Sequence, residues 1–145
     1  GLGDVYKRQV LVCDFDEGLS RLAFAASDFI LMPSLFEPCG LPQMTSQYFG
    51  SLPVVHDTGG LHDTVEPLNV NTHTGNGFLF ETYDDGGLMW AMDEAMRFWS
   101  LPPEVKEPEI SRVMRESKLR FNHDVTAQEY IKIYENMLAR PLVQH

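Results

Sequence analysis

The sequence predicts an α/β domain, a parallel sheet covered by helices on both faces. Short apolar runs, Val10–Cys13, Phe29–Met32, Leu52–Val55 and Gly77–Phe80, alternate with stretches of helical periodicity. Two of these runs lead into a Gly-rich or Pro-rich turn that opens a helix: Pro33-Ser-Leu-Phe-Glu37-Pro-Cys-Gly-Leu41, and Thr58-Gly59-Gly60-Leu61. The chain has 145 residues, 43% of them hydrophobic, which is enough for one domain with a proper core.

The elements follow in order. Val10–Cys13 reads as a short buried strand. Glu17–Ala26 carries Leu19, Leu22, Ala23 and Ala26 at helical spacing. Phe29–Met32 is the next strand, and Pro33 ends it. Leu41–Phe49 is a helix with Pro42 in its first turn, where proline is tolerated, and Gly50 at its stop. Leu52–Val55 is a third strand, followed by a brief helix over Leu61–Val65. Residues 66–76, rich in Asn, Thr and Gly, form a loop, and Gly77–Phe80 a short strand. Asp84 or Asp85 caps a helix reaching Trp99, whose apolar stripe is Leu88, Met89, Met92, Ala95, Met96 and Trp99. Leu101-Pro102-Pro103 breaks it. Helices over Glu109–Leu119 and Thr126–Leu138 complete the chain, the last with Tyr130, Tyr134 and Leu138 on its buried face. There is no internal repeat or low-complexity tract.

Composition narrows the function. A net charge of −10 argues against nucleic acid or an anionic membrane as partner. No apolar run approaches the roughly 20 residues of a membrane span, and no secretory signal is visible. Cys13 and Cys39 do not make a disulfide framework, so a reducing cytoplasm is expected. No Lys or Arg lies between Leu22 and Met96, while ten acidic residues do.

The two turns carry the chemistry. Loop-to-helix turns point unpaired backbone N–H groups and partial positive charge at an anion. Both fall at the carboxyl ends of strands, where ligands bind in such sheets. Gly40 and Leu41, with Thr58, Gly59 and Gly60, are candidate phosphate donors; Gly40 lets the backbone approach closely. Glu37 is placed to accept hydrogen bonds from a pair of sugar hydroxyls. Phosphate beside sugar describes a sugar-nucleotide site. Because the surround is acidic, basic groups have to come from elsewhere.

These residues resemble a known family. Glu37-Pro38-Cys39-Gly40-Leu41, then Thr58-Gly59-Gly60-Leu61 about twenty residues on, is similar to the C-terminal domain of bacterial glycogen synthases and plant starch synthases. Asp28–Ser34 and Gly75-Asn76-Gly77-Phe78 extend the resemblance, which runs from about Phe15 to Leu138. It implies the Rossmann-like C-terminal half of a GT-B retaining glucosyltransferase. The implied reaction moves glucose from ADP-glucose to the 4-hydroxyl at the non-reducing end of an α-1,4-glucan. It implies Glu37 at the donor site near the reacting centre, and no metal or other cofactor. Cys39 would pack or make backbone contact with glucose rather than act as a nucleophile. Phe15 stands where the family often has Tyr facing the nucleotide base; a core role for Phe15 is the alternative. In the family, the Arg and Lys that clamp the diphosphate, and the N-terminal domain that holds the glucan, lie upstream.

The resemblance has gaps. Many related transferases carry a second Glu eight positions after the first, where this chain has Thr45, so no carboxylate pair is expected. Leu35 and Pro42 stand where some members have Arg and Thr. Residues 1–9 read as a foreign leader, although Gly1–Val5 also resembles a glycine-rich loop of the family's other domain. Residues 10–145 are then a donor-binding domain, expected to be a fragment inactive by itself. A related transferase with another sugar acceptor, or a non-catalytic nucleotide-sugar-binding domain, are the alternatives.

Other residues read more plainly. His56-Asp57 and His62-Asp63 look like metal ligands, but their spacing sets the pairs on opposite sides of a turn, and a site needs three or four converging groups. His73, His123 and His145 read as surface or satisfied histidines. Trp90, Trp99 and the methionines of the long helix read as core. Terminal helices of the family often cross to the other domain, which would leave an apolar patch exposed here.

Overall fold

The computed structural model describes residues 9–140. Among them, β1 (Phe29–Met32), β2 (Leu52–His56) and β3 (Phe78–Phe80) form one parallel sheet in that order. Phe29 pairs with Leu52, and Val54 with Phe78. The helices are α1 (Glu17–Ala26), α2 (Pro42–Tyr48), α3 (Gly59–Thr64), α4 (Asp85–Trp99), α5 (Pro103–Arg120) and α6 (His123–Leu138). None is long and apolar enough to cross a membrane.

Every residue of β2 is buried. Successive side chains point to opposite faces, so the strand feeds two clusters. Leu52 and Val54 join Phe78, Phe80, and Ala91, Ala95 and Phe98 of α4, with Val113 of α5. Val55 joins Leu61 and Val65 beside α3. Helices thus cover both faces, as expected.

Local chemistry sets the helix starts. Asp16 accepts from Leu19 N–H at 2.9 Å, Asp84 from Gly87 N–H at 2.7 Å, and Asn122 from Val125 N–H at 3.0 Å. Such caps satisfy donors the helix cannot, worth about 1 kcal/mol each. α2 instead begins with Pro42 and has no side-chain cap.

Four expectations need correction. Residues 10–13 form no strand, and Val10, Leu11 and Val12 are exposed. A buried parallel strand needs a neighbour to bond, and these residues pair with none. α5 starts at Pro103 rather than Glu109 and runs through Pro108. Pro108 deprives the helix of one bond, but α5 packs along α2 through Ser117, whose hydroxyl donates to Met44 C=O at 3.2 Å. The buried stripe of α4 is Ala91, Ala95 and Phe98, while Met89, Trp90, Met92 and Met96 are exposed. The two alanines let α4 lie close to the sheet, and that proximity decides which face turns inward. Finally, no residue of α6 is buried: Tyr130, Ile133, Tyr134 and Met137 form an exposed apolar face. Of the nine residues read as a leader, 1–8 lie outside the described residues; so does His145.

Candidate functional site

The two turns at the carboxyl ends of β1 and β2 form one unit. Gly60 N–H donates to Glu37 C=O at 2.8 Å. A Cβ on Gly59 would stand 2.1 Å from that same oxygen, and one on Gly60 only 1.9 Å from Cys39 C=O. Backbone meets backbone here, and no side chain fits between. Gly59 also holds φ +49°, and Gly40 φ +67°, conformations that other residues adopt at a cost. The amide of Gly60, expected to face an anion, is therefore engaged within the chain. Gly40 is glycine for its own backbone and because a Cβ would meet the Gln43 side chain at 2.5 Å. The amides of Gly40 and Leu41 meet no acceptor among the described residues and stand where α2 begins. Thr58 caps α3 through its carbonyl, which accepts from Leu61 N–H at 3.0 Å; its hydroxyl makes no capping bond.

Polar side chains of Gln43, Thr64, Asn76 and His56 brace this unit. Gln43 is buried, and its amide nitrogen reaches Gly40 C=O at 2.7 Å and the Thr64 hydroxyl at 3.0 Å. Thr64 in turn donates to Gly60 C=O at 2.6 Å. Asn76 donates to Thr64 C=O at 2.9 Å and Gln47 Oε1 at 3.1 Å, and accepts from Glu66 N–H at 2.7 Å. His56 is 8% exposed at the end of β2. Its Nδ1 lies 2.8 Å from Ser34 C=O. A carbonyl only accepts, so Nδ1 carries the proton. Tyr83 packs on the His56 ring at 4.9 Å and donates to Pro33 C=O at 3.3 Å. The loop bearing Glu37 is thus pinned by His56 at the end of β2 and by Tyr83 just beyond β3. Glu37 itself is half-buried, with the Ser34 hydroxyl at 3.5 Å.

The remaining candidates lie apart. Phe15 is 90% exposed before α1 and makes no ring contact among the described residues. Cys39 is a free, exposed thiol, and it is its carbonyl that touches Gly60. The His-Asp pairs do meet, though differently from expectation: His62 Nδ1 lies 2.7 Å from Asp57 Oδ1. That hydrogen bond, with Asp57's charge, raises the His62 pKa. His56 points away to Ser34, and no group of three metal-ligating side chains converges among the described residues.

Folding also brings an Arg to a region whose own sequence has no Lys or Arg. Arg120 and His123, from the α5–α6 junction, line a 550 Å³ cavity with Leu41, Met44 and Thr45 of the α2 face. Arg120 is held by Asp63 C=O at 3.0 Å and by Glu66 at 3.5 Å. A second anchor lies farther off. Glu109, buried in α5, bonds His73 and accepts from Arg112 Nε at 3.0 Å, and Arg112 also donates to Gly75 C=O at 2.7 Å. Burial pushes the Glu109 carboxyl up, but those partners outweigh it and hold it below its ordinary value.

No family model matches the chain. Its similarity to known proteins is nevertheless extensive. It is 41% identical over 124 residues to a glycogen synthase of Streptococcus gordonii, covering 86% of this chain and 25% of that protein. A glycogen synthase of Clostridioides difficile is 41% identical over 123 residues, 85% of this chain and 25% of the relative. One from Lacticaseibacillus casei is 37% identical over 141 residues, 96% of this chain and 28% of the relative. The chain therefore spans about a quarter of the length of the curated relatives it matches. Among solved structures, it matches the catalytic domain of starch synthase IV from Arabidopsis thaliana bound to ADP and acarbose. The TM-score is 0.78 at 31% identity, over 96% of this chain and 29% of that one.

Proposed function

We propose that this chain, a homologue of part of the glycogen and starch synthases, forms the donor side of a retaining glucosyltransferase of the GT-B type. The observation that carries the reading is the fusion of the Glu37 turn with the Thr58-Gly59-Gly60 turn through Gly60 N–H and Glu37 C=O. It sets a carboxylate beside the open amides of Gly40 and Leu41. That is one place for hydroxyls and one for phosphate, in a fold whose neighbour was solved with ADP.

On this reading the substrate is ADP-glucose and the acceptor an α-1,4-glucan, held mainly by the part of the enzyme that this chain does not span. The bond between the glucose C1 and the diphosphate oxygen breaks, its electron pair leaving with ADP. The acceptor 4-hydroxyl attacks C1 from the same face and passes its proton to the departing phosphate oxygen, so the α configuration is kept. Gly40 and Leu41 N–H groups stabilise the charge growing on the departing phosphate, as preorganised donors do. Glu37 fixes the donor's hydroxyls near the reacting centre, and Thr58 and Gly59 shape the wall beside it. Cys39 presents backbone rather than its thiol to the glucose, and Phe15 covers the base once the donor is bound. The acidic surround calls for further cations on the diphosphate, an Arg and a Lys of the acceptor-side half. No metal is assigned a role. Two unpaired cysteines fit a cytoplasmic enzyme.

An NMR amide titration with ADP, and with UDP as comparison, tests this. Saturable shifts at Gly40 and Leu41, stronger with ADP and lost in Glu37→Ala when ADP-glucose is used, are expected. A folded sample with no shift at those amides, also when the cationic half is supplied in trans, would sink the proposal.

A further inference from the structure

A groove of 660 Å³ lies between α3 and the start of α4, beside the end of β3. It shares no residue with the two donor turns at Glu37–Leu41 and Thr58–Gly60. Its polar wall is Asp57, His62, Glu66, Glu81 and Thr82; Val65, Pro67, Leu79 and Phe80 form its apolar floor, and Trp90 is its one exposed aromatic. Trp90 is 56% exposed and enters no aromatic pair among the described residues.

The indole face is kept bare by sequence. A helical side chain leans back over positions i−3 and i−4, and for Trp90 these are Gly87 and Gly86. Packing explains Gly87, where a Cβ would stand 2.3 Å from Thr82 C=O. It does not explain Gly86, where a Cβ would meet only Asp84 Oδ1 at 3.4 Å. Gly86 stands in the first turn of α4, and with no side chain there nothing covers the indole from position i−4.

Charge narrows what can lie there. Three carboxylates and no Lys or Arg line the groove, which disfavours anions. Nor is it a strong cation site. Asp57 is paired with His62 and Glu66 with Arg120, so only Glu81 has no ion-pair partner among the described residues. What remains is a neutral ligand with hydroxyls for the carboxylates and imidazole to bind, and flat apolar faces for the indole. Pyranose rings have both. We infer that this groove is a sugar-binding subsite, with Trp90 as its platform and Asp57, Glu66 and Glu81 as acceptors. Resting on the function proposed above, the ligand is a stretch of α-1,4-glucan. The site would hold a polymer chain on the donor half while its end is extended elsewhere.

The probe is maltohexaose, followed by the indole N–H signals of the two tryptophans. Trp90 should shift saturably. Trp99 serves as internal control, since it packs on Phe29 and beneath Lys106. Trp90→Ala should weaken binding by at least roughly tenfold, a loss of about one platform contact. Gly86→Leu, a good helix former that covers the indole, should do the same without unfolding α4. The ADP response at Gly40 and Leu41 should survive both. An unmoved Trp90 signal, or Trp90→Ala binding as tightly as the parent, overturns the subsite. The donor reading stands or falls separately, on the ADP arm.

Discussion

The amide of Gly60 donates to the carbonyl of Glu37 across 2.8 Å, and no Cβ fits between the two segments. The contact joins residues 23 positions apart, and it sets where the Glu37 carboxylate stands.

Gly60→Ala should therefore be costly. Its methyl would stand 1.9 Å from Cys39 C=O, so the turns must part, at about 2–3 kcal/mol for overpacking of this kind. Gly86→Ala, where nothing but Asp84 Oδ1 is near, should instead stabilise by about 0.5–1 kcal/mol. Urea denaturation of both variants reads the opposite signs directly.

Asn76 braces three segments at once through Thr64, Gln47 and Glu66. Replacing it with Ala leaves those groups without partners, at a cost of about 2–3 kcal/mol. Hydrogen exchange should quicken at Gly60 before the core strands respond. Equal acceleration across β2 would show that Asn76 supports the whole fold rather than this turn.

Glu109 gives the acid side of the stability curve. Its folded pKa lies below the ordinary carboxylate value. The folded state thus favours the ionised form, and the stabilisation is present above the unfolded pKa and lost as pH falls through the folded one. Urea midpoints taken downward from neutral pH should drop through the acid range. Glu109→Gln should flatten that drop, and His73→Ala should move the carboxyl back up.

His62 has the opposite sign. Asp57 raises its pKa, so the folded state favours the protonated ring. Any stabilisation is complete below the unfolded pKa and fades as pH rises through the folded value. An NMR titration of the ring protons should place His62 above an ordinary histidine, and Asp57→Asn should return it towards that range.

Much of this was legible in the chain. The bounds of α1 follow from the helical spacing of Leu19, Leu22, Ala23 and Ala26, and the end of β1 from Pro33 as stop, because both act on their own neighbours. The two turns could be placed at strand ends from order and spacing alone. The partners of those turns could not. Nothing in the sequence says that His56 seeks Ser34 C=O, or that the buried face of α2 is polar, with Gln43 and Gln47. Gly60 has an amide that looks available and proves spent.

By itself, then, the sequence determined the alternation of strands and helices, the capped start of α4 and the two turns, since each depends on residues within a few positions. Tertiary structure decided what was left. Residues 10–13 are apolar enough for a strand but gain no bonds without a neighbour. Which stripe of α4 is buried depended on how near the alanines let it approach the sheet. Arg120 comes to a region without Lys or Arg of its own only because α5 folds back along α2. Long-range pairing of this kind is a property of surfaces brought together, and no local pattern encodes it.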